Sequence, residues 1–112
     1  MRLESVQQGK VMVVRVLESR MDIRDVDDFK AAMAGYIGKG SKLIALDLSG
    51  VDFIDSSGLG AIVSSLKLLG GEGDLVISGA TPTVLSLFKL TRIDRVFTLV
   101  DTEEDALRTL NA

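Results

Sequence analysis

The chain has no cysteine and no histidine, a single proline, and only 4% aromatic residues across 112 positions. Without cysteine it forms no disulfide and holds no iron–sulfur cluster or thiolate zinc site. Without histidine it has no Ser-His-Asp triad and no imidazole metal ligand. An excess of positive charge is missing too: 13 Lys and Arg stand against 16 Asp and Glu, for a net charge of −3. With a pI near 4.8, the chain lacks the electrostatic footprint of direct nucleic-acid binding. Long apolar runs are also absent. Val11-Met12-Val13-Val14 is broken by Arg15, far short of the roughly 18–20 residues of a spanning helix. A signal peptide needs a basic start, a longer apolar core and a small-residue cleavage site. The expectation is a cytoplasmic protein without membrane insertion.

The remainder is ordinary for a folded domain. Hydrophobic residues make up 46% and charged residues 26%, and 112 residues fit one domain over 1–112. Leu3–Val6 and Val11–Leu17 read as β-prone runs joined by a turn at Gln7–Lys10. Val26, Phe29, Met33, Tyr36 and Ile37 form an amphipathic helical stripe with Asp25, Asp27 and Asp28 at its start, ending at Gly38 and Gly40. Lys42–Leu48 is apolar at nearly every position, as in a strand covered on both faces. Ser49–Asp55 reads as a loop, and a second helix as running from about Ser57 to Leu69. Asp74–Ser78 is a strand. Thr81-Pro82 opens a third helix, with Thr81 as N-cap and Val84, Leu85 and Phe88 facing the core. Val96–Val100 is a last strand, and Thr102 caps a last helix with Ala106, Leu107 and Leu110 inward. The order β-β-α-β-α-β-α-β-α implies an α/β fold: one mixed, mostly parallel sheet, an antiparallel N-terminal edge strand, and four helices on both faces.

The densest unusual segment is Asp52-Phe53-Ile54-Asp55-Ser56-Ser57-Gly58-Leu59-Gly60. It follows a buried strand and opens a helix, whose free N–H groups favour anions. Capping by Asp55 or Ser56 accounts for one acid or hydroxyl. It leaves two glycines in the first turns unexplained, where each costs about 1 kcal/mol against Ala. Glycines there keep side chains away and let another molecule approach the backbone.

The string Asp55-Ser56-Ser57-Gly58-Leu59-Gly60 resembles the signature of bacterial anti-sigma factor antagonists, the free-standing STAS domains. The element order, the run LIALDLSGVDFIDSSG and Asp22 after the second strand also match. Where those families usually carry Gly-x-Leu-Asp, this chain has Ser19-Arg20-Met21-Asp22. The resemblance implies a STAS fold with Ser56 as phosphorylation site, and a partner surface of Asp22, Asp55, Ser56, Ser57, Gly58, Leu59 and Gly60. It implies two partners, an anti-sigma factor with serine-kinase activity and a serine phosphatase, and no cofactor or metal of its own. Asp22 is expected near Ser56, orienting its hydroxyl or meeting a partner's cation. Ser57 is expected to bond backbone donors.

Two other function classes remain in view. One is a STAS binding subunit that is never phosphorylated, in a lipid-transport or stress-signalling assembly. The other is an enzyme with Ser56 or Asp55 as nucleophile; the lack of histidine leaves it without an obvious base. Gly38-Lys39-Gly40-Ser41-Lys42 lacks phosphate-loop spacing and precedes a strand rather than a helix, so it reads as a turn.

Overall fold

In the computed structural model, which describes residues 1–112, the chain opens with a hairpin. Strands β1 (Leu3–Gln8) and β2 (Val11–Val16) pair antiparallel, with Leu3 opposite Val16 and Gln8 opposite Val11. The loop is Gly9-Lys10 alone, because Gln7 and Gln8 stay in the ladder. Gly9 takes φ +61 at the first loop position, which a type II′ hairpin turn reserves for glycine.

Next come β3 (Arg20–Met21) and helix α1 (Val26–Gly38). Helix α1 buries Val26, Phe29 and Met33 and carries Asp27 and Asp28 in its first turn. Strands β4 (Leu43–Asp47) and β5 (Phe53–Ile54) lead into α2 (Ser56–Leu69). A single 3₁₀ turn at Gly70–Glu72 follows, then β6 (Asp74–Ser78). Helix α3 (Pro82–Leu90) starts as expected, with Thr81 accepting from the Val84 N–H and Pro82 in the first turn. Strand β7 (Thr98–Val100) and α4 (Glu103–Asn111), capped by Thr102, complete the chain. The last strand begins two residues later than expected. Ile93–Arg95 forms a 3₁₀ turn, and the Ile93 carbonyl takes the N–H groups of Val96 and Phe97.

The main sheet has the order β1-β2-β4-β6-β7, parallel throughout except for β1 at one edge. Alternation along the strands sends Ile44, Leu46, Leu75 and Ile77 into the larger core, with α1, α2 and α3. Val11, Val13, Ala45 and Val76 point the other way, where Ala106 and Leu110 of α4 cover them. Burial on both faces explains why β4 and β6 are apolar without alternation. The start of α4 is tied to the sheet by Arg15, which donates twice to Glu103 at 2.8 Å and once to Glu4 at 2.6 Å.

One element departs from the sequence reading. Strands β3 and β5 form a separate two-stranded parallel ribbon, Arg20 opposite Phe53 and Met21 opposite Ile54. Ser49–Asp55 is therefore not a loop throughout. Two residues carry no periodicity, so only the tertiary pairing creates these strands.

Candidate functional site

The short ribbon builds the site. Its register carries on past the strands: the Asp55 N–H donates to the Met21 carbonyl at 3.2 Å, and the Ile23 N–H donates to Asp55 Oδ2 at 3.2 Å. Asp22 and Asp55 thus leave neighbouring strands in the same direction. This brings the loop after β3 beside the start of α2, across more than thirty positions of sequence.

Asp55 is the N-cap of α2, with extended backbone, and its Oδ1 accepts the Gly58 N–H at 2.8 Å. One carboxylate therefore caps the helix and holds the neighbouring loop through Ile23. Ser56 and Ser57 are the first two helical residues, Ser56 exposed and Ser57 half-buried. The capping bond comes from Asp55 and not from Ser57, contrary to the expectation for Ser57, because the extended Asp55 backbone already aims a carboxylate at the third N–H.

The two glycines play different parts. A β-carbon on Gly58 would lie 2.6 Å from the Met21 carbonyl oxygen, 3.0 Å from Ile54 Cγ2 and 3.2 Å from Met21 Cγ. Gly58 is buried and lets α2 sit on its own ribbon; it does not present backbone to another molecule. Gly60 has nothing within 4 Å of a β-carbon and is exposed, so it alone keeps the outer face of the helix bare. Leu59 is buried in the larger core.

Asp22 is buried, and both its oxygens are engaged within its own loop. Arg24 donates to Oδ1 through its backbone N–H at 3.0 Å and Nε at 3.1 Å, and to Oδ2 through its guanidinium at 2.8 Å. These bonds, the guanidinium's first, lower the Asp22 pKa from 3.8 to about 2. The bonded partner of Asp22 is Arg24 and not the Ser56 hydroxyl, and the pair is close to neutral. Asp52 is exposed and donates its N–H to the Ser19 carbonyl at 2.7 Å.

Sequence reasoning missed two exposed apolar residues, one in the ribbon and one in the loop after β3. Ile23 is 68% exposed and Phe53 is 40% exposed, with the Arg20 guanidinium 4.6 Å from the Phe53 ring centroid. A signal was present in Ile23, which lies between Asp22 and Arg24 and off the α1 stripe. None of the three cavities of the molecule includes Asp22, Asp55 or Ser56. The largest, about 560 Å³, is lined by Lys39, Gly40, Ser41 and Lys42 in the turn before β4. The exposed side chains on the ribbon and the loop after β3 are both apolar and charged.

A family model described as the STAS domain matches residues 2–106. The chain belongs to the STAS domain family. The anti-sigma F factor antagonist of Paenibacillus polymyxa is 28% identical over 112 residues, covering 98% of this STAS domain and 95% of that protein. The solved anti-sigma factor antagonist of Mycobacterium paratuberculosis superposes with a TM-score of 0.91 at 24% identity, covering 99% and 94% of the two chains. Both the unphosphorylated form of the anti-sigma factor antagonist SpoIIAA and the phosphorylated form of SpoIIAA, a Bacillus cell fate determinant, have solved structures. The unphosphorylated form superposes with a TM-score of 0.76 at 22% identity, covering 99% of each chain. The phosphorylated form gives 0.75 at 21%, covering 96% and 98%. In this STAS domain Ser19 stands where the family pattern has glycine. The backbone there does not need one: Arg92 is the one non-glycine residue at positive φ.

Proposed function

We propose that this STAS domain is an anti-sigma factor antagonist working as a partner switch, with Ser56 as the phosphorylation site. One observation carries the reading: Ser56 is exposed at the first position of α2, and Asp55 makes the capping bond in its place. A hydroxyl released from capping is free for a kinase, and its modification leaves the helix start intact. The names of the relatives support the same class. In this reading Ser57, Gly60, Ile23 and Phe53 form the surface around the switch.

Unphosphorylated, the domain docks on an anti-sigma factor with serine-kinase activity and displaces the sigma factor. Ser56 Oγ then attacks the γ-phosphorus of ATP held by that partner; ADP leaves, and a base of the kinase takes the hydroxyl proton. A serine phosphatase reverses the modification by hydrolysis. The domain is the substrate in both steps and contributes no catalytic group. It acts in the cytoplasm, where its partners and ATP are.

Phosphate adds about −1.5 to −2 charges at a helix N-terminus, whose dipole favours them. Asp22 opposes them little, being paired with Arg24, whereas Asp55 does oppose them. The fold therefore persists while the docking surface gains negative charge. An unpaired phosphate costing about 4 kcal/mol in the interface lowers affinity roughly a thousandfold. The test is titration of the cognate anti-sigma factor. Ser56→Ala should bind like wild type, and Ser56→Asp should bind more weakly, though less so than the phosphoprotein. Equal binding of phosphorylated and unphosphorylated protein would refute the switch.

A further inference from the structure

Strand β1 is an open edge whose outward groups fit a second copy of itself. The Leu17 N–H donates to the Arg2 carbonyl, so in the register of the hairpin Glu4, Val6 and Gln8 bond to β2. By the alternation of antiparallel ladders, the N–H and C=O groups of Leu3, Ser5 and Gln7 point away from the sheet. Every residue of β1 after Leu3 is exposed.

Proteins usually protect such edges with lysine, proline, bulges or brevity. The opposite edge of this sheet has brevity, since β7 is three residues long. Strand β1 is six residues, pairs with β2 without a break in register, and contains no lysine or proline. Its one charge, Glu4, is paired with Arg15 at 2.6 Å. Val6 adds an apolar side chain, 37% exposed.

We propose that this edge is a homodimer interface in which two β1 strands pair antiparallel about a two-fold axis, joining two five-stranded sheets into one. The outward groups select the register. With Ser5 opposite the second copy's Ser5, Leu3 meets Gln7 on both sides of the axis, and each of these pairs exchanges two N–H···O bonds. Glu4 then faces the second copy's Val6, so no like charges oppose each other. An antiparallel strand paired with itself closes under two-fold symmetry and leaves no further edge of this kind free. Self-pairing is thus favoured over capture of an unrelated extended peptide, which would have to supply its own complement.

The test is the solution mass of the full chain, by sedimentation equilibrium from micromolar to millimolar concentration. The mass should rise from 12.0 kDa toward twice that value. Ser5→Pro removes an outward donor and none of the β1–β2 bonds, as edge positions allow. It should weaken dimerisation at least tenfold with an unchanged circular dichroism spectrum; Ser5→Ala should dimerise like wild type. Amide exchange of the wild-type protein gives a readout that does not depend on that variant folding. Leu3, Ser5 and Gln7 should become protected as concentration rises. A mass of 12.0 kDa at every concentration would overturn the proposal. So would a folded Ser5→Pro variant that dimerises undiminished, or a dimer that leaves those three amides unprotected.

Discussion

Gly58→Ala and Gly60→Ala should change stability in opposite directions, although only Leu59 separates them on the same helix. At Gly58 the new methyl would lie 2.6 Å from the Met21 carbonyl oxygen. That oxygen is fixed by its place in the β3–β5 ribbon and by the bond from the Asp55 N–H at 3.2 Å. A contact with backbone is not relieved by a rotamer change. Overpacking of this kind costs about 1–3 kcal/mol, against a gain of about 1 kcal/mol from helix propensity. The net loss reaches about 2 kcal/mol. At Gly60 the methyl meets nothing within 4 Å, so the propensity gain of about 1 kcal/mol remains. Each kcal/mol moves the melting temperature by about 4 °C at this size. Urea unfolding followed by circular dichroism gives both values, and an unchanged slope would show that the denatured state is not responsible. A Gly58→Ala variant stabilised as Gly60→Ala is would refute the packing of α2 on the ribbon.

Two further outcomes follow from the ion pairs. The Asp22 carboxyl, held at about 2 by Arg24, contributes stability that is complete above the unfolded value near 4 and is lost as pH falls through about 2. Arg24→Ala should return the Asp22 titration, followed by carboxyl NMR, toward 3.8; no upward movement would contradict the assignment. Arg15 holds the Glu103 carboxyl below its usual range and ties α4 to the sheet. Glu103→Gln should cost about 1 kcal/mol and speed amide exchange in α4, and unchanged α4 exchange would argue against the tie.

Much of the architecture was legible because it rests on local signals. The stripe from Val26 to Ile37 places α1, the Thr81-Pro82 pair starts α3, and Thr102 starts α4. The apolar run of β4 announces cover on both faces, which α4 supplies on one side. The β3–β5 ribbon was not legible, since each strand is two residues long and exists only through the other. Two site readings changed, those of Gly58 and Asp22, and one of two cap candidates was selected. Gly58 is small because of the Met21 carbonyl, a contact from the preceding ribbon strand. Asp22 is engaged by Arg24, two residues on, rather than by the serine. Of the two cap candidates, Asp55 and Ser56, it is Asp55 that makes the bond, with its backbone extended.

If Ser56 is the switch, phosphate should sit there and nowhere else. The most direct measurement is phosphopeptide mapping after incubation with the cognate kinase and ATP, on wild type, Ser56→Ala and Ser57→Ala. One phosphate is expected on Ser56 in wild type and in Ser57→Ala, and none in Ser56→Ala. Phosphate on Ser57, or undiminished incorporation in Ser56→Ala, would contradict the assignment.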